Sequence, residues 1–182
     1  MRRLGIVAAA LAFFATATMA QGIQGLGPGT RPVEVAVSFN FLSFHEVPGT
    51  IVNNPGVTAS AMYRYDRVGL EGEVSDSIGS QNGSSSQLVF AGGGLRYFLP
   101  EFGTVRPWTE AEVGLAHISP SPSYGMGRAL GYKVGAGFNF NPIHSRLEYR
   151  ISADVLGSTF FNTYQVSPEV SFGIVLPLGR NE

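Results

Sequence analysis

Cysteine is absent from the 182 residues, which excludes disulfide bracing and any thiolate metal site. Charge is scarce: 12 Lys and Arg with 13 Asp and Glu make up 14% of the chain and leave a formal net charge of −1. Without a basic excess there is no electrostatic footprint for nucleic acid, and no nucleic-acid partner is expected. Histidine occurs three times, as His45, His117 and His144, at spacings that match no metal-ligand pattern. Beyond the first residues, no apolar run approaches the roughly 20 residues that a membrane-spanning helix needs.

What is present starts with an export signature. Arg2 and Arg3 precede an apolar stretch from Leu4 to Ala15, and Thr18-Met19-Ala20 places small residues where a signal peptidase reads. Residues 1–20 are expected to be a secretory signal peptide. Removing Arg2 and Arg3 from the 12 basic residues leaves 10 against 13 acidic ones. Residues 21–31 read as a flexible lead-in: Gly25-Leu26-Gly27-Pro28-Gly29 contains proline and precedes no helix, so it is not a phosphate loop. Residues 32–178 are expected to form one domain, with 179–182 as a C-terminal tail.

Within that domain the hydrophobic period is two, the signature of β-strands. Val33, Val35, Val37, Phe39 and Phe41 alternate with Glu34, Ala36, Ser38 and Asn40. Leu130, Tyr132, Val134, Ala136, Phe138 and Phe140 oppose Gly131, Lys133, Gly135, Gly137 and Asn139; Leu147 to Val155 and Tyr164 to Leu176 repeat the pattern. With further stretches around Val57–Tyr65, Val68–Val74, Val89–Tyr97 and Thr109–Leu115, the chain carries about eight strands of roughly ten residues, the smallest transmembrane barrel size. Tight connections fall at Asp66-Arg67, 99–104 and 141–145. Longer ones, rich in Gly, Pro, Ser and polar residues, fall at 44–56, 76–86, 118–127 and 157–163. Short periplasmic turns and longer outer loops are the usual arrangement of outer-membrane barrels.

Alternation alone also suits a soluble barrel with an apolar core, so the charges decide the facing. Glu34, Arg64, Glu71, Glu73, Arg96, Glu110, Glu112, Lys133, Glu148, Arg150, Asp154 and Glu169 all fall in one row. The other row is free of charge within these strands, as a lipid-facing surface must be. The expected fold is therefore all-β: an eight-stranded antiparallel up-and-down transmembrane β-barrel. Its interior should be a network of paired charges with little open pore, and steady conduction is not expected. Tyr63, Tyr65, Tyr97, Phe138 and Phe140 towards the turns, and Phe39, Phe41, Phe44, Phe160, Phe161 and Tyr164 towards the loops, have the placement of interfacial girdles.

The segments Val105-Arg106-Pro107-Trp108-Thr109-Glu110-Ala111-Glu112-Val113-Gly114-Leu115 and Gly135 to Phe140 with Arg146-Leu147-Glu148-Tyr149-Arg150 resemble the bacterial outer-membrane β-barrel domain family. That family includes the transmembrane domain of outer membrane protein A and the opacity-type surface proteins. The resemblance covers the chain from about residue 32 onward, and its degenerate motifs mark barrel strands rather than an activity. It implies location in the cell outer membrane, contact with outer-membrane lipids, insertion by the barrel-assembly machinery and an extracellular partner bound through the long loops. The end of the chain departs from the pattern: Phe172 to Leu178 is followed by Gly179-Arg180-Asn181-Glu182, where many relatives end on an aromatic residue.

Some barrels of this size are lipid A-modifying enzymes, and His117, Ser119 and Glu112 are the only local set with a suitable composition. Neighbouring strand residues alternate faces, and Glu112 lies several residues deeper, so no catalytic residue is assigned. No cofactor-binding or metal-binding residue is assigned either. The expected function is a structural or surface-interaction role, with a lipid A-modifying enzyme and a soluble periplasmic ligand-binding barrel as the alternatives.

Overall fold

The computed structural model describes residues 33–47, 50–81, 84–119, 127–141, 147–160 and 164–178. They form eight strands: β1 (Val33–Val47), β2 (Thr50–Tyr65), β3 (Val68–Gln81), β4 (Ser84–Phe98), β5 (Val105–Ser119), β6 (Arg128–Phe140), β7 (Glu148–Ser158) and β8 (Gln165–Leu178). Each strand pairs antiparallel with its sequence neighbour, and β1 pairs with β8 to close the barrel. The closing ladder runs from Val33 opposite Leu178 to Leu42 opposite Glu169. Closure leaves no sheet edge, which a chain in hydrocarbon requires because no water is there to satisfy unpaired backbone groups.

Two tight turns are built by local chemistry. Asp66 takes φ of 52° between β2 and β3, a left-handed conformation that Asp tolerates better than most residues. Between β4 and β5, Phe102 and Val105 exchange backbone hydrogen bonds of 2.9 and 3.1 Å, and Gly103 between them takes φ of 62°, where a Cβ would be strained. Residues 142–146 of the third expected turn lie outside the described residues.

The strands are longer than the sequence pattern suggested. The expected loops 44–56 and 76–86 are mostly strand: Phe44 pairs with Val52, Ser43 with Asn53, and Gly79 with Ser86. Asn, Gly and Ser have poor strand propensity, but here a neighbouring ladder and an interior apolar cluster hold them extended, so tertiary context overrides local preference. A tilted strand needs only about 9–11 residues to cross a bilayer, whereas β1 to β4 have 14 to 16. The surplus lies at the end opposite the short turns.

The two rows face as their charges required. Val37, Phe39, Phe41, Leu70, Leu95, Val134, Val170 and Phe172 are exposed on the outside, while Glu34, Glu71, Arg96, Lys133 and Glu169 are buried inside. Outer aromatic rings pack on one another: Phe140 on Tyr149 at 5.3 Å, Phe39 on Phe172 at 6.0 Å and Tyr132 on Tyr164 at 5.9 Å. Two corrections follow. Phe44 and Phe160, expected in the outer girdle, turn inward and meet edge to face at 6.0 Å; they share the row of Leu42 and Leu156. Phe161 lies outside the described residues. The outer row also carries one acid, Asp76, whose carboxylate accepts hydrogen bonds of 2.8 and 2.9 Å from Gln87. It follows Val68, Leu70, Gly72 and Val74, which carry no charge on the outer row of β3.

Candidate functional site

The interior is where the chain concentrates its chemistry, and it is stacked in layers. Nearest the turns, Arg106 donates to Glu34 at 3.0 Å and to Glu148 at 2.6 Å, and Arg64 approaches Glu34 at 3.8 Å. Both guanidinium groups lie within 5 Å of the Phe98 ring, at 4.8 and 4.9 Å, where its negative face adds to the carboxylate attraction. Arg106 was not among the inward charges read from the sequence. It sits next to the Gly103 turn, where alternation has barely begun, so periodicity did not assign it a face.

One layer up, Arg96 is shared by Glu71 at 2.7 Å and Glu110 at 2.5 Å and stacks on Trp108 at 3.9 Å. Trp108 donates its Nε1–H to Asn139 at 3.1 Å, and Arg150 donates to the same Asn139 oxygen at 3.1 Å. Above these, Lys133 bridges Glu73 and Glu169, the latter at 3.0 Å, and Ser152 donates to Asp154 at 2.7 Å. A cavity of about 10 Å³, lined by Ser38, Ser60, Glu110, Arg150 and Asp154 among others, has room for about one water.

The loop end of the interior is apolar, which the sequence reading did not anticipate. Leu42, Phe44, Leu88, Phe90, Ala116, Ile118, Ala129, Leu156 and Phe160 form one buried cluster. Below it the ion pairs of Lys133, Arg96, Arg150 and Arg106 with the interior carboxylates occupy the bore layer by layer. The signal for this plug was present: Leu42, Phe44 and Leu88 continue the inward row of β1 and β4, but Phe44 lies in the stretch 44–56 that reads as loop and Leu42 and Leu88 stand at the margins of the expected strands.

The interior acids outnumber the cations. Inward-facing carboxylates are Glu34, Glu71, Glu73, Glu110, Glu112, Glu148, Asp154 and Glu169, against Arg64, Arg96, Arg106, Lys133 and Arg150. Among the described residues, one group could hold a cation: Glu71, Glu110 and Glu112 offer oxygens all within 4.8 Å of one another.

The local set weighed for catalysis is not brought together. Glu112 is buried inside, whereas His117 is exposed on the outer face with its Nδ1 2.7 Å from the Gly127 carbonyl oxygen. Ser119 shares the row of His117, and the carboxylate is on the other side of the wall. The side chains of His45 and His144 lie outside the described residues.

Comparison with known proteins matches this geometry. The chain shares its fold with neisserial surface protein A: TM-score 0.68, 16% identity, covering 81% of this chain and 97% of that one. The fold is that of a small eight-stranded outer-membrane barrel. The outer membrane enzyme PagL resembles the barrel at TM-score 0.53 and 12% identity, over 79% of this chain and 99% of that one. Ail, the attachment invasion locus protein of Yersinia pestis, does so at 0.51 and 16%, over 79% and 97%. No family model matches the barrel, and no curated protein matches it in sequence. Since one of these neighbours is an enzyme, the fold by itself does not assign a role.

Proposed function

We propose that this outer-membrane barrel is a non-enzymatic surface protein that reinforces the envelope and presents its projecting hairpins to an extracellular partner. The observation that carries the reading is the asymmetry of the strands. β2 and β3 are joined by the two-residue turn Asp66-Arg67, whereas on the loop side β1 to β4 continue as paired strands to Val47, Thr50, Gln81 and Ser84, around a buried apolar cluster. A plugged bore is of no use for transport, whereas rigid strand ends hold loops in place for recognition. Ail, which shares this fold, was solved in complex with the heparin analogue sucrose octasulfate, in keeping with an extracellular partner for a barrel of this kind. Residues 1–20 serve as the export signal in this reading, and the barrel-assembly machinery inserts the chain, with β8 closing against β1.

The test compares cells producing the protein with cells producing a variant in which the ends of the β1–β2 and β3–β4 hairpins, residues 45–51 and 79–86, are replaced by Gly-Ser linkers. The variant should keep the heat-dependent gel shift of a folded barrel and lose adhesion or autoaggregation. Equal adhesion with and without the protein would refute the surface role. The same membranes report on the enzyme alternative, since lipid A altered by the wild type and restored by His117→Ala would establish catalysis instead.

A further inference from the structure

We infer that Glu71, Glu110 and Glu112 form a site for one divalent cation, of the calcium class, inside the barrel wall. The site follows from strand register. Glu71 on β3 lies opposite Gly94 on β4, and Gly94 lies opposite Glu112 on β5. A glycine thus separates two inward carboxylates, and it is the residue the position requires, because a Cβ there would collide with the Ala111 carbonyl and the Glu112 backbone. No side chain on β4 then stands between the two acids, and Glu110, two residues away on β5, joins them.

The unpartnered group is Glu112. It is 4% exposed, and neither of its carboxylate oxygens has a hydrogen-bond partner among the described residues. Its cross-strand neighbour on the other side is Lys133, yet the Lys133 ammonium is spent on Glu73 and Glu169. Arg96 serves Glu71 and Glu110, and Arg150 reaches Glu71 at 3.5 Å and Glu34 at 3.8 Å. A buried carboxylate with no counter-charge is expensive enough that one must be supplied.

Donor chemistry and charge point to the ion. Calcium takes oxygens at about 2.3–2.6 Å, so ligands on opposite sides of it sit roughly 4.6–5.2 Å apart, while magnesium at about 2.0–2.1 Å demands a tighter cage. Carboxylate oxygens within 4.8 Å of one another lie inside the span that calcium bridges, and hard oxygen donors are its ligands. Arg96 is shared by Glu71 and Glu110 and Arg150 also reaches Glu71, so the carboxylate left without a counter-charge is Glu112, and a cation held by the cluster supplies it. The burial of all three carboxylates implies that the ion enters as the barrel folds.

The experiment refolds the protein from urea into detergent with calcium chloride, removes free ion, and measures bound calcium. Refolding from urea avoids carry-over of lipid-bound calcium. One calcium per chain is expected. Terbium refolded in its place should luminesce on excitation of Trp108, the one tryptophan in the chain, which stacks on Arg96 beside the site. Glu112→Gln should lower that emission at least ten-fold, and Glu148→Gln, at the turn end, should leave it unchanged. No calcium above the detergent blank in the folded wild type would overturn the proposal, as protons then neutralise the cluster. Equal terbium emission from wild type and Glu112→Gln would overturn it as well, by placing the ion elsewhere. The wild-type metal content stands as a test even where a variant fails to fold.

Discussion

Lys133 is the interior cation whose loss tests most directly whether the bore is dry. It is 1% exposed and sits between Glu73 and Glu169, with its ammonium 5.5 Å from the Phe90 ring that floors the apolar plug. Lys133→Met keeps the volume and removes the charge, leaving two carboxylates buried without it. Removing one partner of a buried ion pair costs about 3–5 kcal/mol, because the remaining charge is uncompensated. At about 1.4 kcal/mol per decade, the folding equilibrium in lipid vesicles should fall by between a hundred-fold and several thousand-fold. Urea titrations read by Trp108 fluorescence and by gel migration without boiling would report it. The triple change Lys133→Met, Glu73→Gln, Glu169→Gln removes the whole charge set, and should recover most of the loss, since an apolar or neutral replacement of a buried pair is often close to neutral. If Lys133→Met were within about 0.5 kcal/mol of the wild type, the interior would be hydrated enough to solvate the orphaned acids, and the bore would not be closed.

Three further outcomes follow from the same geometry. Val134, beside Lys133 in sequence but exposed on the outer face, should tolerate Leu with little change, while Val134→Arg should lose about 2–4 kcal/mol of stability in vesicles, the cost of a cation near the bilayer midplane. In planar bilayers the wild-type protein should give no steady conductance; a stable ohmic channel would contradict the plug formed by Phe44, Phe90 and Phe160 above the charged layers. Gly137→Ala should destabilise the barrel by about 1–3 kcal/mol, the usual cost of overpacking, because the added methyl meets the Trp108 ring and the Ile151 carbonyl, and a urea midpoint equal to the wild type would refute that packing.

The fold was legible because a barrel wall has only two faces and each strand must declare which residues go to which. Val33 to Asn40 and Leu147 to Asp154 do so residue by residue, and the charges fix which face is inside. Asp66 and Gly103 announced two of the turns by chemistry that tolerates positive φ. The loop side was misread, since Asn53, Asn54, Gly79 and Ser80 carry the composition of a connection and are held extended by partners across the ladder. Interior partners were legible only as a set: that Lys133 would meet Glu73, 60 positions away, depends on how the strands pack across the bore, which no local pattern encodes. The carboxylate cluster escaped notice for the same reason, because Glu71 and Glu112 become neighbours only through the glycine between them on β4.

The inside-out arrangement of the wall can be tested with one fluorescence measurement in vesicles whose lipid chains carry bromine, a quencher confined to the hydrocarbon. Trp108, buried in the bore and bonded to Asn139, should be quenched weakly, whereas a tryptophan placed on the outer face as Val113→Trp in a Trp108→Phe background should be quenched strongly. Strong quenching of Trp108 together with a residue-113 tryptophan open to aqueous iodide would mean that the apolar row faces inward, and that the chain is not a transmembrane barrel.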